Sequence, residues 1–112
     1  MATTGVGQRR LATRPTVRDV SLTGTFPGVK VADSDPSRTY LAFRVSGANN
    51  VSLKFDQDST LSHVLLTTGT AETSFKEYTK QANGDLVTLE WWAFNTAGLA
   101  TSLTVTEWWG QG

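Results

Sequence analysis

The chain has no cysteine, one histidine, one methionine and three prolines in 112 residues. Without cysteine there is no disulfide framework, no thiolate metal site and no cysteine nucleophile. No stretch approaches the roughly 18 consecutive apolar residues of a membrane span. The start, "MATTGVGQRRLATRP", lacks the apolar core of an export signal. Neither spanning nor export is therefore encoded, and the expected place of synthesis is a cytoplasm. Ten basic residues offset ten acidic ones, so no excess charge points to nucleic acid or membrane. Nor does any window carry apolar residues at i, i+3, i+4 and i+7 over three turns, which excludes long amphipathic helices.

What is present is threonine, 18 residues of it, a composition suited to pleated and half-exposed surfaces. Period-2 alternation recurs along the chain and is cut by turn signals, the pattern of a sandwich or barrel. The expected fold is all-β: a small antiparallel β-sandwich, jelly-roll-like, of about eight short strands. Residues 16–112 form its single domain, and residues 1–15 a flexible N-terminal arm. Arg9, Arg10, Arg14 and Arg18 all precede the first acidic residue, Asp19. That arm reads either as a solvated tail or as a basic segment lying on an acidic partner.

Turn chemistry and apolar pattern together predict three hairpins. In "RTYLAFRVSGANNVSLKF", pairing Val45 with Val51 sets Phe43 against Leu53 and Leu41 against Phe55, with Arg44 and Lys54 outward. "QANGDL" closes a second hairpin that sets Phe75 against Trp91 and Lys76 against Glu90. "Asn95-Thr96-Ala97-Gly98" fits a type I turn with a left-handed glycine. It pairs Trp91 with Leu103 in the core and turns Trp92 and Trp108 outward on one face. Pro27-Gly28 and Asp35-Pro36 mark turns between the early strands.

Candidate chemistry is sparse. His63 in "STLSHVLL" has no nucleophile-elbow motif to serve and reads as a polar position on an alternating strand. The pairs Asp33/Asp35 and Asp56/Asp58 read as turn formers, since neither continues into a calcium-loop spacing. Glu90 and Glu107 fall on opposite faces in the predicted register, which speaks against a paired-carboxylate glycosidase. The chain is read as a non-enzyme that needs no cofactor and no metal.

The four tryptophans carry the functional signal. They stand as two "EWW" copies, Trp91-Trp92 and Trp108-Trp109. Burying one indole is worth about 4–6 kcal/mol, from an area of roughly 150–250 Å² at about 25 cal/mol per Å². A lean core takes Trp91. Trp92, Trp108 and Trp109 then form, with Arg9, Arg10 and Arg14, the candidate contact residues.

The turn Asp35-Pro36-Ser37-Arg38, the strand Val51-Ser52-Leu53-Lys54-Phe55 and the ending "LTVTEW" at 103–108 resemble small virion proteins of tailed bacteriophages. The doubled tryptophans are a departure from that pattern. The resemblance implies a β-sandwich on the phage particle, as a head-decoration or other minor structural protein. Its expected partners are the major capsid protein or another virion protein and further copies of itself, a trimer being favoured. The expected location is the virion. The alternative is a carbohydrate-binding or host-attachment module in which Trp92 and Trp108 form a stacking platform.

Overall fold

The computed structural model describes residues 15–22, 28–57 and 62–110. The basic arm with Arg9, Arg10 and Arg14 lies outside the described residues, as does Asp58. Among the described residues eight strands run in order: β1 (Thr16–Leu22), β2 (Val29–Ala32), β3 (Tyr40–Val45), β4 (Val51–Lys54), β5 (Val64–Leu66), β6 (Phe75–Thr79), β7 (Trp91–Phe94) and β8 (Thr101–Trp108). Between β6 and β7 lie a single helical turn, α1 (Lys80–Asn83), and a 3-10 segment, Gly84–Thr88.

The strands form two four-stranded antiparallel sheets. Sheet I has the order β1-β8-β3-β6 and sheet II the order β2-β7-β4-β5. Across the two sheets β1 pairs with β8 and β3 with β6 in sheet I, and β2 with β7 and β4 with β5 in sheet II. This is a long antiparallel ribbon rolled into a sandwich, the jelly-roll arrangement expected from the strand count.

The three predicted hairpins do not form. β3 and β4 lie in different sheets, as do β6 and β7, and β7 and β8. Phe43 faces Val105 and Lys76 rather than Leu53, and Leu41 faces Glu107 and Tyr78 rather than Phe55. Trp91 pairs with Ala32, and Leu103 with Val20 and Val45. The local turn at Asn95–Gly98 is as expected. Gly98 has φ +75° and its amide donates to Asn95 O at 2.9 Å, while Asn95 Oδ1 accepts from Ala97 N and Leu99 N. The turn, however, carries the chain from one sheet to the other. The reason lies in the pattern itself. Alternation states which side chains face the core, and a strand that crosses the sandwich satisfies it as well as one that folds back beside its neighbour.

"QANGDL" shows the same competition. Thr79 caps α1 by accepting from Ala82 N at 3.1 Å, and Gly84 at φ +60° ends it. A capped helical turn uses the asparagine and glycine that a hairpin turn would also have used.

Inward residues of both sheets meet in one core that includes Leu41, Phe43, Val51, Leu53, Trp91, Leu103 and Val105, all fully buried. Trp91 is its centre, with ring centroids of Phe43, Phe55 and Tyr78 at 5.1, 4.5 and 5.0 Å. Its Nε1 donates to Leu86 O at 3.2 Å, which ties the 3-10 segment onto the core. Gly28, at φ +98°, lies against β7 so closely that a Cβ would sit 2.2 Å from Ala93 O. Glycine there is required both by conformation and by space.

Candidate functional site

The four tryptophans occupy four different environments. Trp91 points inward and is buried, as its alternation position requires. Trp92 is half-buried on the outer face of sheet II, between Lys30 of β2 and Lys54 of β4, and its Nε1 donates to Glu90. Trp108 is half-buried on the outer face of sheet I, paired with Tyr40 of β3. Trp109 follows β8, and its Nε1 donates to Asp35 Oδ2 at 2.7 Å. Trp92 and Trp108 therefore do not share a face. Because β7 and β8 belong to different sheets, their outward residues leave the sandwich on opposite sides. The two-indole platform predicted from a β7–β8 hairpin is absent.

Sheet II has a further departure. Ser52, Lys54 and Phe94 alternate outward, yet all three are buried. Lys54 Nζ stands 4.9 Å from the Phe94 ring centre and donates to Gln57 O at 2.6 Å. Lysine was expected to face solvent here. Its ammonium instead lies over an aromatic ring and donates to a carbonyl.

The outer face of sheet I is a lattice of hydroxyls and rings. Asp19 Oδ1 accepts from Thr104 at 2.6 Å and from Ser46 at 3.2 Å. Arg44 lies 4.6 Å from the centre of the Phe75 ring. Beside them Tyr40 donates to Glu77 at 2.8 Å; burial, with that carboxylate, pushes its hydroxyl up to about 12. Gly110 packs directly against the Trp108 indole, where a Cβ would fall 2.4 Å from the ring. Val17 of edge strand β1, 61% exposed, is opposite Thr106 and diagonal to Trp108. Trp108, Tyr40 and Val17 form the apolar part of this face.

A polar cleft of about 360 Å³ opens between the two edge strands β1 and β2. Its floor is a charged network built on the Asp35-Pro36-Ser37-Arg38 turn. Asp35 Oδ1 accepts from Ser37 N at 3.0 Å and Ser37 Oγ at 2.8 Å, which closes the turn. Arg38 is thereby aimed between the sheets, where it is 1% exposed. It donates to Val87 O at 2.8 Å, Asp33 O at 2.9 Å, Leu89 O at 2.7 Å and Glu107 Oε2 at 2.8 Å. Glu107 occupies the inward position of β8 that continues Leu103 and Val105. Its Oε1 faces Arg18 at 3.4 Å, and Arg18 also donates to Val31 O across the gap. Lys30 pairs with Asp33 at 3.1 Å, and that hydrogen bond raises its ammonium above its ordinary value. Burial pushes the Asp35 carboxyl up. Hydrogen bonds from Ser37 and Trp109 and the charge of Arg38 outweigh it and leave the group below its usual range.

Sequence reasoning placed Asp33 and Asp35 in a turn and assigned Trp109 to a contact patch. The structure brings these three into the cleft with Arg18, Lys30, Arg38 and Glu107. The signal for the network was present. A glutamate at an inward position of an apolar strand is a buried charge that requires a cation. Which cation answers it, 69 residues away, depended on the sheet order.

His63 precedes β5 and packs at a tilt on Phe55, with ring centroids 4.5 Å apart, and edge-on against Trp91 at 5.6 Å. Burial first, and the charge of Lys76 second, lower its pKa. Tyr78, next to it, is buried with its hydroxyl unpartnered, and burial pushes it up to about 12. Among the described residues no group of three or more His, Cys, Asp or Glu side chains is arranged to hold a metal ion. Among the described residues, too, no helix is long and apolar enough to cross a membrane. Compared with family models, curated proteins and solved structures, the chain matches none.

Proposed function

We propose that this chain is a non-enzymatic structural protein of a bacteriophage particle, a decoration or cement protein that binds the assembled head. The observation that carries the reading is the outer face of sheet I. There Trp108 and Tyr40 stand side by side, half-buried, with Val17 exposed next to them. An aromatic pair at one end of a face that otherwise carries threonine, serine and charged groups has the make-up of a protein contact. The resemblance of the Asp35–Arg38 turn and the β8 ending to small virion proteins supports the same reading. Further copies of the chain and the shell are the partners it implies, through Trp108 first and the basic arm second.

The test is co-sedimentation of purified protein with phage heads, together with light scattering of the protein alone. Wild type should sediment with the particle, and Trp108→Ala should lose most of that binding while keeping its β-sheet circular dichroism. A wild-type protein that never sediments with heads and is absent from purified virions by mass spectrometry would overturn the proposal.

A further inference from the structure

The cleft between β1 and β2 has no part in the head-binding reading, and its chemistry points to a ligand of another kind. Three cations line it, Arg18, Lys30 and Arg38, and three anions, Asp33, Asp35 and Glu107. The formal sum is zero, three against three. An anion entering the cleft would meet the carboxylates and a cation the guanidinium groups. An apolar ligand would strip water from the more exposed charges, Arg18, Lys30, Asp33 and Asp35, and return no hydrogen bonds. A neutral molecule with many hydroxyls, each both donor and acceptor, satisfies both signs together.

The wall and floor narrow the choice. Trp109 lines the cleft, and its N–H is already taken by Asp35 Oδ2 at 2.7 Å. What the indole offers a ligand is therefore its apolar surface, which suits the C–H face of a sugar ring. At the floor, Arg38 is locked by its four hydrogen bonds, so Glu107 Oε2 is held in place. Among the described residues the other carboxylate oxygen, Oε1, has Arg18 alone, at 3.4 Å, and Glu107 as a whole is 8% exposed. It is a nearly buried acceptor with capacity to spare, aimed at the same space. A fixed polar floor, an indole wall and rim cations held by Val31, Asp33 and Glu90 form a preorganised site.

We infer that this cleft binds a neutral saccharide, one ring packed on Trp109 with its hydroxyls bridging Glu107 and Asp35 to Arg18 and Lys30. A volume of about 360 Å³ takes a mono- or disaccharide. The site stands on β1, β2, the turn before β3 and the end of β8, and it opens between the sheets while Trp108 faces the outer side of sheet I, so glycan and head are bound on different sides of β8.

Ligand-observed saturation-transfer NMR on the whole purified chain tests this, with free D-glucose, D-galactose, N-acetyl-D-glucosamine and L-rhamnose as probes. Hydrolysed bacterial surface polysaccharide supplies a mixed oligosaccharide probe. At least one should show transfer to wild type at concentrations up to about 50 mM. Trp109→Ala should weaken that binding about tenfold or more, Trp109→Phe should restore part of it, and Lys30→Ala should weaken it without loss of fold. Trp108→Ala should bind sugar as wild type does, even as it loses the head. Absence of transfer from every probe, or binding unchanged in Trp109→Ala and Lys30→Ala, would overturn the inference. Neither result bears on co-sedimentation.

Discussion

Replacing Arg38 by methionine keeps the length of the stem and removes the guanidinium. In the folded protein four acceptors would lose their donor: the carbonyls of Asp33, Val87 and Leu89 and the carboxylate of Glu107. The Asp33 carbonyl belongs to an exposed residue, and water can replace the lost bond. Val87 is fully buried and Leu89 half-buried, and each stranded acceptor costs about 1–3 kcal/mol. Glu107 would keep Arg18 at 3.4 Å, and breaking a buried pair from one side costs roughly 3–5 kcal/mol. These terms overlap, so the expected loss is about 4–6 kcal/mol, comparable to the whole stability of a modest domain. In thermal unfolding this is a fall on the order of 15–25 °C. Urea unfolding followed by tryptophan fluorescence measures it directly. The double variant Arg38→Met, Glu107→Leu removes the orphaned carboxylate as well and should recover roughly half the loss. If Arg38→Met loses less than about 1 kcal/mol, or if the second substitution recovers nothing, Arg38 does not hold the cleft floor as described.

Trp91→Ala should cost about 3–5 kcal/mol, because it empties the centre of the core, whereas Trp92→Ala should cost about 1 kcal/mol and leave the fold intact; circular dichroism and urea midpoints separate the two. His63 has its pKa lowered in the fold, so its contribution is fully present above the unfolded value of about 6.5 and is lost as pH falls through the folded value. Stability curves of wild type and His63→Gln should therefore converge as pH falls below about 6.5, and a constant difference between them from neutral pH to pH 5 would refute the packed, neutral imidazole. Refolding should be slow for a chain this size, in the range of milliseconds to seconds by stopped-flow fluorescence. Of the six ladders among the described residues, only β4–β5 joins strands adjacent in sequence.

The class of fold, the strand count and the inward faces of β3, β4, β7 and β8 were legible in the sequence, whereas on β6 the expected face is reversed: Phe75 lies outward opposite Arg44 and Tyr78 inward. Alternation and turn residues are local signals, and they hold wherever the strand is placed. Leu103, Val105 and Trp91 are inward by the same rule that turns Trp92 and Trp108 outward. The Asn95–Gly98 and Asp35–Ser37 turns were legible too, since their hydrogen bonds lie within four residues.

Only the tertiary structure decided which strands pair. A turn fixes the conformation of its own residues and says nothing about whether the following strand returns beside its predecessor or crosses to the other sheet. That single difference separated Trp92 from Trp108 and placed them on opposite sides of the molecule. It also joined Arg38 to Glu107 and Trp109 to Asp35, contacts between residues 69 and 74 positions apart. Burial of the Glu107 carboxylate requires a cation at its side, but the roll of the two sheets is what brings Arg38 there. The cleft, with its indole wall, exists only because β1 and β2, consecutive in the chain, end as the open edges of two different sheets.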